Sequence, residues 1–373
     1  MKAQRRFGLT LSWLRFSVVF LIDMALLISA GNLRDDWQPT AWWVGVGVAA
    51  VVTLISVITY RRITLPGAIA GWLRDWSSDS ESALKAACTP AINHRRRYGR
   101  DPVGVREYRG QLVSVIAVDE PDPVPSNRHL SADSIHNSLP VAAVAAGVRQ
   151  FDVKLDDVDI VSVGTHSEDG HISNRRTWLI LRMDPQRNAE AVATRDSLAS
   201  TLAAATERLA HEISGRRCIA WPMSGDDLEE VDAAVLAGLQ PTWRAPGWRR
   251  LKHDAGYVTS FWVSPHDITT ETLEEVWLAD ADATVVTVRL SARHRDHQVC
   301  AWVRYHSEEP LPHTEWAGLN PFTARQLPAV RAGLPAPTAR QLQVPSRSLA
   351  ADDDLAVPLG SVQTADEPET ADA

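Results

Sequence analysis

Two pairs of carboxylates stand one residue apart in this sequence, Asp157 with Asp159 and Asp280 with Asp282. Aspartates so spaced can hold a divalent ion against a nucleotide-sugar diphosphate, the chemistry of many glycosyl transfer reactions. That role needs the acids to emerge at the end of a buried apolar strand. Here the first pair precedes the run IVSV and the second follows a helical pattern ending in VWLA, so neither has the expected setting. Asp157 and Asp159 read instead as exposed residues at a strand edge. His294 to His297 (HRDH) offers two imidazoles and a carboxylate, but it lies between two strand patterns, where a polar turn is expected. Gly45, Gly47 and Ala50 match a dinucleotide fingerprint only as letters, with no preceding strand and no βαβ unit. The sequence contains no glycine-rich phosphate loop ending in Lys-Ser or Lys-Thr. No catalytic, cofactor-binding or metal-binding residue is therefore assigned, and the expectation is a protein that is not an enzyme. Two alternatives stand beside it: a membrane-anchored glycosyltransferase-like enzyme using a DxD metal site, and a membrane-tethered binding module.

With 373 residues, 45% of them hydrophobic and 23% charged, the chain is long enough for one large or two modest units with a real core. Cys88, Cys218 and Cys300 are far apart, odd in number and matched to no metal spacing, which points to a reducing compartment. A formal net charge of -8 argues against a nucleic-acid binder.

The elements that would position any site begin with a membrane hairpin. Leu11 to Ala30 is mostly apolar and Thr40 to Tyr60 holds no charge, so each supplies the roughly 20 residues of a spanning helix. The short link between them makes the helices antiparallel neighbours. Lys2, Arg5, Arg6 and Arg15 flank one end and Arg61, Arg62 and Arg74 the other, against Arg34 in the link; this predicts a two-pass membrane protein with both termini cytoplasmic. A cleaved signal peptide is disfavoured by Asp23 inside the first apolar run. Asp23 costs a few kcal/mol near mid-bilayer, so it should face protein or water, or be protonated. Gly45, Ala49 and Thr53 form a ridge of small residues that permits close helix approach, and together with Asp23 they are the expected transmembrane helix contact.

Beyond residue 62 the pattern is mixed α/β. Residues 63–100 read as a membrane-proximal linker, with an amphipathic helix over Ala68 to Trp76 and a basic cluster, Arg95, Arg96, Arg97 and Arg100, near the cytoplasmic leaflet. Residues 101–334 form a cytoplasmic α/β domain. It opens on a hairpin turning at Gly110, carries a single long helix from Asp184 to Gly215, and hints at duplication through two strand-strand-helix-strand runs. Thr242 to His253 (TWRAPGWRRLKH) interleaves tryptophans with cations, which suits an ordinary loop, a nucleic-acid contact or a headgroup contact. Residues 335–373 read as a disordered acidic tail. The fold class is thus α/β: two N-terminal transmembrane helices, a mixed α/β cytoplasmic domain and a disordered tail, with residues 1–62 as the hairpin.

Two stretches resemble a known family. RRYGRDPVGVREYRGQLVSVIAVD, from Arg96, and GLNPFTARQLPAVRAGLP, Gly318 to Pro335, are similar to EccE, a membrane core component of the type VII (ESX) secretion system. The resemblance covers most of residues 1–335 and carries over no active-site residues. It implies a structural subunit of an inner-membrane export complex, assembled with EccB, the EccC ATPase, EccD and the mycosin protease in the lipid bilayer, with no cofactor and no nucleic acid.

Overall fold

A computed structural model describes residues 7–9, 13–32, 38–60, 63–64, 67, 69–73, 89–95, 102–108, 110–120, 138–166, 172–193, 197–215, 218–239, 247–293, 296–311, 318–336, 342–350 and 352–360. Strand β1 (Phe7–Leu9) precedes helix α1 (Trp13–Gly31) and helix α2 (Gln38–Val57), which are followed by β2 (Ile58–Tyr60) and β3 (Ile63–Thr64). β1 pairs antiparallel with β2, Phe7 opposite Tyr60, so both outer ends of the helical hairpin are stitched together at one side. Among the described residues no helix is long and apolar enough to cross a membrane.

Strands β4 (Ile92–His94), β5 (Val103–Tyr108) and β6 (Gln111–Asp119) start the main sheet. β5 and β6 turn at Gly110, whose φ of +77° is the left-handed conformation glycine tolerates best. Next come β7 (Ser138–Pro140), a helix over Val141–Ala146, the small hairpin β8 (Arg149–Gln150) and β9 (Val153–Lys154), then β10 (Asp157–His166) and β11 (Ile172–Met183). Helix Leu198–Ile213, strand β12 (Ile219–Pro222) and helix Leu228–Leu236 complete the first half. The second half runs β13 (Leu251–His253), β14 (Gly256–Val263), helix Thr270–Glu275, β15 (Ala283–Arg293), β16 (Asp296–Ser307), β17 (Leu319–Pro321) and helix Gln326–Ala332. β18 (Arg347–Leu349) and β19 (Ala356–Pro358) follow.

Among the described residues twelve strands form one sheet with the spine β13-β14-β16-β15-β10-β11-β6-β5-β4. The order is two-fold about the central pair β10 and β15. In one half β10 and β11 lead to β6, whose outer side is shared by β5 and β12; in the other β15 and β16 lead to β14, whose outer side is shared by β13 and β17. Each half ends in a helix, Leu228–Leu236 or Gln326–Ala332. The duplication hinted at by element order is therefore a repeat of strand pairing.

Both sheet faces are buried, which explains the near-continuous apolar runs of the inner strands. One face, with Val158, Ile160, Val286 and Val288, lies under helices Leu198–Ile213 and Thr270–Glu275; the other, with Val113, Val115, Val161 and Val285, lies under the two half-ending helices. This is a three-layer α/β arrangement.

Three expectations are corrected here. The helix from Asp184 is not continuous: a 3-10 turn (Pro185–Asn188) and a short helix (Ala189–Ala193) precede Leu198–Ile213, where the Ser197 side chain accepts a hydrogen bond from the Ser200 amide at 3.0 Å. The linker is not wholly outside the domain, because β4 pairs with β5. The supposed tail enters the fold as far as Gly360: β18 pairs with β16, β19 pairs with β7, and Leu355, Val357 and Leu359 are buried. Residues 361–373 lie outside the described residues.

Candidate functional site

Asp157 and Asp159 are not exposed; their strand is the sheet's centre. Antiparallel register sets Asp157 opposite Arg182 on β11 and Asp159 opposite Arg289 on β15. Arg182 Nη1 donates to Asp157 Oδ1 at 2.7 Å and to Asp159 Oδ2 at 2.6 Å. Arg289 grips Asp159 with two parallel bonds, Nε to Oδ1 and Nη2 to Oδ2, both 2.7 Å. Two acids and two guanidiniums thus neutralise one another, and the guanidiniums also reach backbone carbonyls. Arg182 Nη2 reaches the Leu334 carbonyl at 2.9 Å and Arg289 Nη2 the Ala332 carbonyl at 2.9 Å. Burial alone would raise the pKa of Asp159, but the two arginines outweigh it and hold the carboxyl below its ordinary value. Burial works against charge on Arg182 and Arg289 too, yet the facing aspartates raise both above the ordinary value. With two guanidiniums already neutralising them, the buried carboxylates have their charge answered without a metal ion.

The same strategy recurs nearby. Arg106 on β5 makes a bidentate pair with Asp232, at 3.0 and 2.8 Å, and donates to the Pro335 carbonyl at 2.7 Å. Arg304 on β16 donates to the Val235 carbonyl at the end of helix Leu228–Leu236, while Arg182 on the equivalent strand β11 serves the end of helix Gln326–Ala332. Each half therefore sends an arginine to the carbonyl terminus of the other half's helix, where the helix dipole favours a cation. Arg304 has no described acid to offset its burial, which pushes its pKa down to about 9. The stretch Ala332 to Ala336, which overlaps the end of the wording that resembles EccE, is the segment these arginines hold against the sheet.

Beside Arg304 lies His306, fully enclosed, with neither ring nitrogen hydrogen-bonded among the described residues. Burial, Arg304 and His253 together hold its pKa well below the ordinary imidazole value. The unfolded chain binds this proton from about pH 6.5 downward while the folded chain refuses it, so stability present above that pH is lost as pH falls toward the folded-state pKa. His306→Leu should flatten this acid limb by up to about 1.4 kcal/mol per pH unit and leave neutral-pH stability nearly unchanged. Urea denaturation from pH 7.5 to 5 reads both; an unaltered slope refutes the assignment.

Asp280 and Asp282 are exposed, and Asp282 is tied through its backbone, its amide donating to the His306 carbonyl at 2.8 Å. Among the described residues no group of three or more His, Cys, Asp or Glu is placed to hold a metal. His297 lies at the connection of β15 to β16, opposite Ala292. A cavity of about 220 Å³ beside Arg175 and Glu120 is smaller than the range of roughly 300–1,000 Å³ usual for ligand sites. Arg175 stacks on Trp277 at 4.3 Å, and burial lowers its pKa to about 10.

In the hairpin, Asp23 and the small-residue ridge meet. Thr53 Oγ1 donates to Asp23 Oδ2 at 2.7 Å. A Cβ at Gly45 would come within 2.9 Å of Ala30 Cβ, and Ala49 and Ala30 are buried, so the helices touch where glycine and alanine leave room. Sequence reading placed both residues at the expected helix contact without pairing them with each other. Of the basic cluster, Arg95 is exposed, while Arg96, Arg97 and Arg100 lie outside the described residues. Helical backbone occurs at residues 69–73 within the expected linker helix.

Comparison with known proteins completes the assignment. The family model described as "Putative type VII ESX secretion system translocon, EccE" matches residues 171–263, a span from the start of β11 to the end of β14. ESX-5 secretion system protein EccE5 of Mycobacterium marinum is 53% identical, covering 97% of this chain and 98% of that protein. EccE5 of Mycobacterium tuberculosis is 54% identical over 96% of this chain and 97% of its own length. ESX-3 secretion system protein EccE3 of Mycolicibacterium smegmatis is 26% identical over 85% of this chain and 87% of its own. Identity of this level along nearly the whole of both EccE5 chains shows that the chain belongs to the EccE family of the type VII ESX secretion system.

Proposed function

We propose that this chain is a non-enzymatic structural subunit of the ESX inner-membrane complex, held in the bilayer by α1 and α2 with its α/β domain in the cytoplasm. The observation that carries the reading is the hairpin's outward face. Trp13, Phe20, Leu21, Trp43 and Leu54 are between 55% and 85% exposed, more clustered apolar surface than a water-facing element tolerates. α1 and α2 are 19 and 20 residues long, and α2 contains no charged residue. The Thr53 to Asp23 bond gives the one acid in α1 a partner inside the hairpin. The pairing of β1 with β2 supports placing both ends of the hairpin on one side. The buried, ion-paired aspartates of β10 favour a scaffold over the glycosyltransferase-like alternative. Family membership supports EccB, the EccC ATPase, EccD and the mycosin protease as its neighbours in this reading.

Cysteine labelling tests the topology in a background where the native cysteines are replaced. A cysteine at Gln38 should react with an impermeant thiol reagent in intact spheroplasts, and one at Ser126 only after lysis. Labelling at Ser126 without lysis overturns the cytoplasmic placement. The same chain should co-purify with the secretion ATPase after gentle detergent extraction; recovery of the chain alone counts against the subunit role.

A further inference from the structure

We propose that the corner formed by Trp248, Arg249, Arg250 and Lys252 is a docking surface for anionic lipid headgroups, which presses one end of the domain against the membrane. The inference rests on the membrane-anchor reading above. Trp72, in the short helical segment after β3, packs edge-on against Trp248, with ring centroids 6.1 Å apart at 69°. A Cβ at Gly71 would lie 3.7 Å from the Ala324 carbonyl, and the Ala324 amide donates to the Trp248 carbonyl at 2.7 Å. The linker backbone, Ala324 and Trp248 are thus one contact. Thr64 at the end of β3 is seven residues from Gly71, so this corner lies within about 25 Å of the hairpin's end even if every residue were extended, and helical turns shorten that reach.

What the corner presents suits a headgroup layer. Arg249, Arg250 and Lys252 are exposed, Trp248 is half-buried, and Asp254 is the one exposed acid between 248 and 254. Arg250 and Lys252 stand 5.3 and 5.9 Å from the Tyr257 ring centroid, which aligns two cations on one aromatic ring. Clustered cations beside amphipathic rings, tethered close to a bilayer, are attracted by the negative potential of anionic leaflets. Zwitterionic lipid offers no such potential.

The test uses the full chain reconstituted into nanodiscs of phosphatidylcholine alone or with one third phosphatidylglycerol. Amide exchange of residues 247–250, which lie outside the strands, should slow at least fivefold in the phosphatidylglycerol discs. The effect should vanish in the variant R249E/R250E/K252E and at 0.5 M salt, where the screening length shrinks to about 4 Å. The conservative variant R249K/R250K should keep it, which separates charge from fold. Equal exchange in both lipids, in chain that elutes with the discs, overturns the headgroup surface and leaves the anchor standing. Chain that fails to enter discs of either composition overturns both.

Discussion

Replacing Asp159 by Asn is expected to lower the stability of the domain by about 3–5 kcal/mol, the usual cost of removing one partner from a buried ion pair. Asp159 is fully buried and takes three short bonds from Arg182 and Arg289. An amide presents its NH2 to guanidinium donors at one of those positions and leaves two buried cations facing Asp157 alone. For a domain of this size the loss corresponds to a fall in Tm of roughly 10 °C. Asp157→Asn should cost less, because Asp157 has Arg182 at 2.7 Å but Arg289 only at 3.9 Å. An empty divalent-metal site predicts the opposite sign, since removing one of two repelling carboxylates stabilises the unoccupied fold. The double variant Asp159→Leu with Arg289→Met should be milder than Asp159→Asn, because it removes both charges together. Thermal unfolding of the full chain in detergent, with and without Mn²⁺, distinguishes the readings. A rise in Tm for Asp159→Asn, or a Mn²⁺-dependent rise for the unaltered chain, would falsify the structural role of this cluster.

Gly104→Val should be the second severe change, costing about 3 kcal/mol, at the upper end of the usual range for overpacking. A Cβ there would fall 2.6 Å from the Gly225 amide nitrogen and 2.7 Å from the Ser224 carbonyl carbon, both backbone atoms. Neither can withdraw. The Gly104 amide donates to the Met223 carbonyl at 2.8 Å, and the Gly225 amide donates to Asn93 Oδ1 at 2.6 Å. The strand and the crossing segment are thus fixed on each other before any side chain is added. Gly110 is the control. Its positive φ disfavours a side chain by about 1–2 kcal/mol, but a Cβ would meet nothing within 4 Å, so Gly110→Ala should be the milder of the two. Equal losses at the two positions in urea denaturation would show that the close approach at Gly104 carries no weight.

The sequence by itself determined the elements whose period is long and whose partners are near. Alternation from Gln111 to Asp119 and the following runs at β10, β15 and β16 are strands because both sheet faces are apolar, and Gly110 marks the turn that joins β5 to β6. A link too short to do anything but reverse the chain sets α1 and α2 side by side, with Gly45 close to Ala30. Register and stagger were not legible. Acids at alternate positions of a strand ordinarily mark its wet side, and nothing within the run DVDIVSV announces that Arg182, 23 residues on from Asp159, and Arg289, 130 residues on, will stand opposite and keep it dry. The end of the domain was hidden in the same way. Strands of three residues carry too little period to declare themselves, and Arg347–Leu349 and Ala356–Pro358 become strands only because β16 and β7 leave edges for them to complete. Local propensity is written in neighbouring residues, whereas the pairing of edges, and of charges across them, exists only once distant parts of the chain have met.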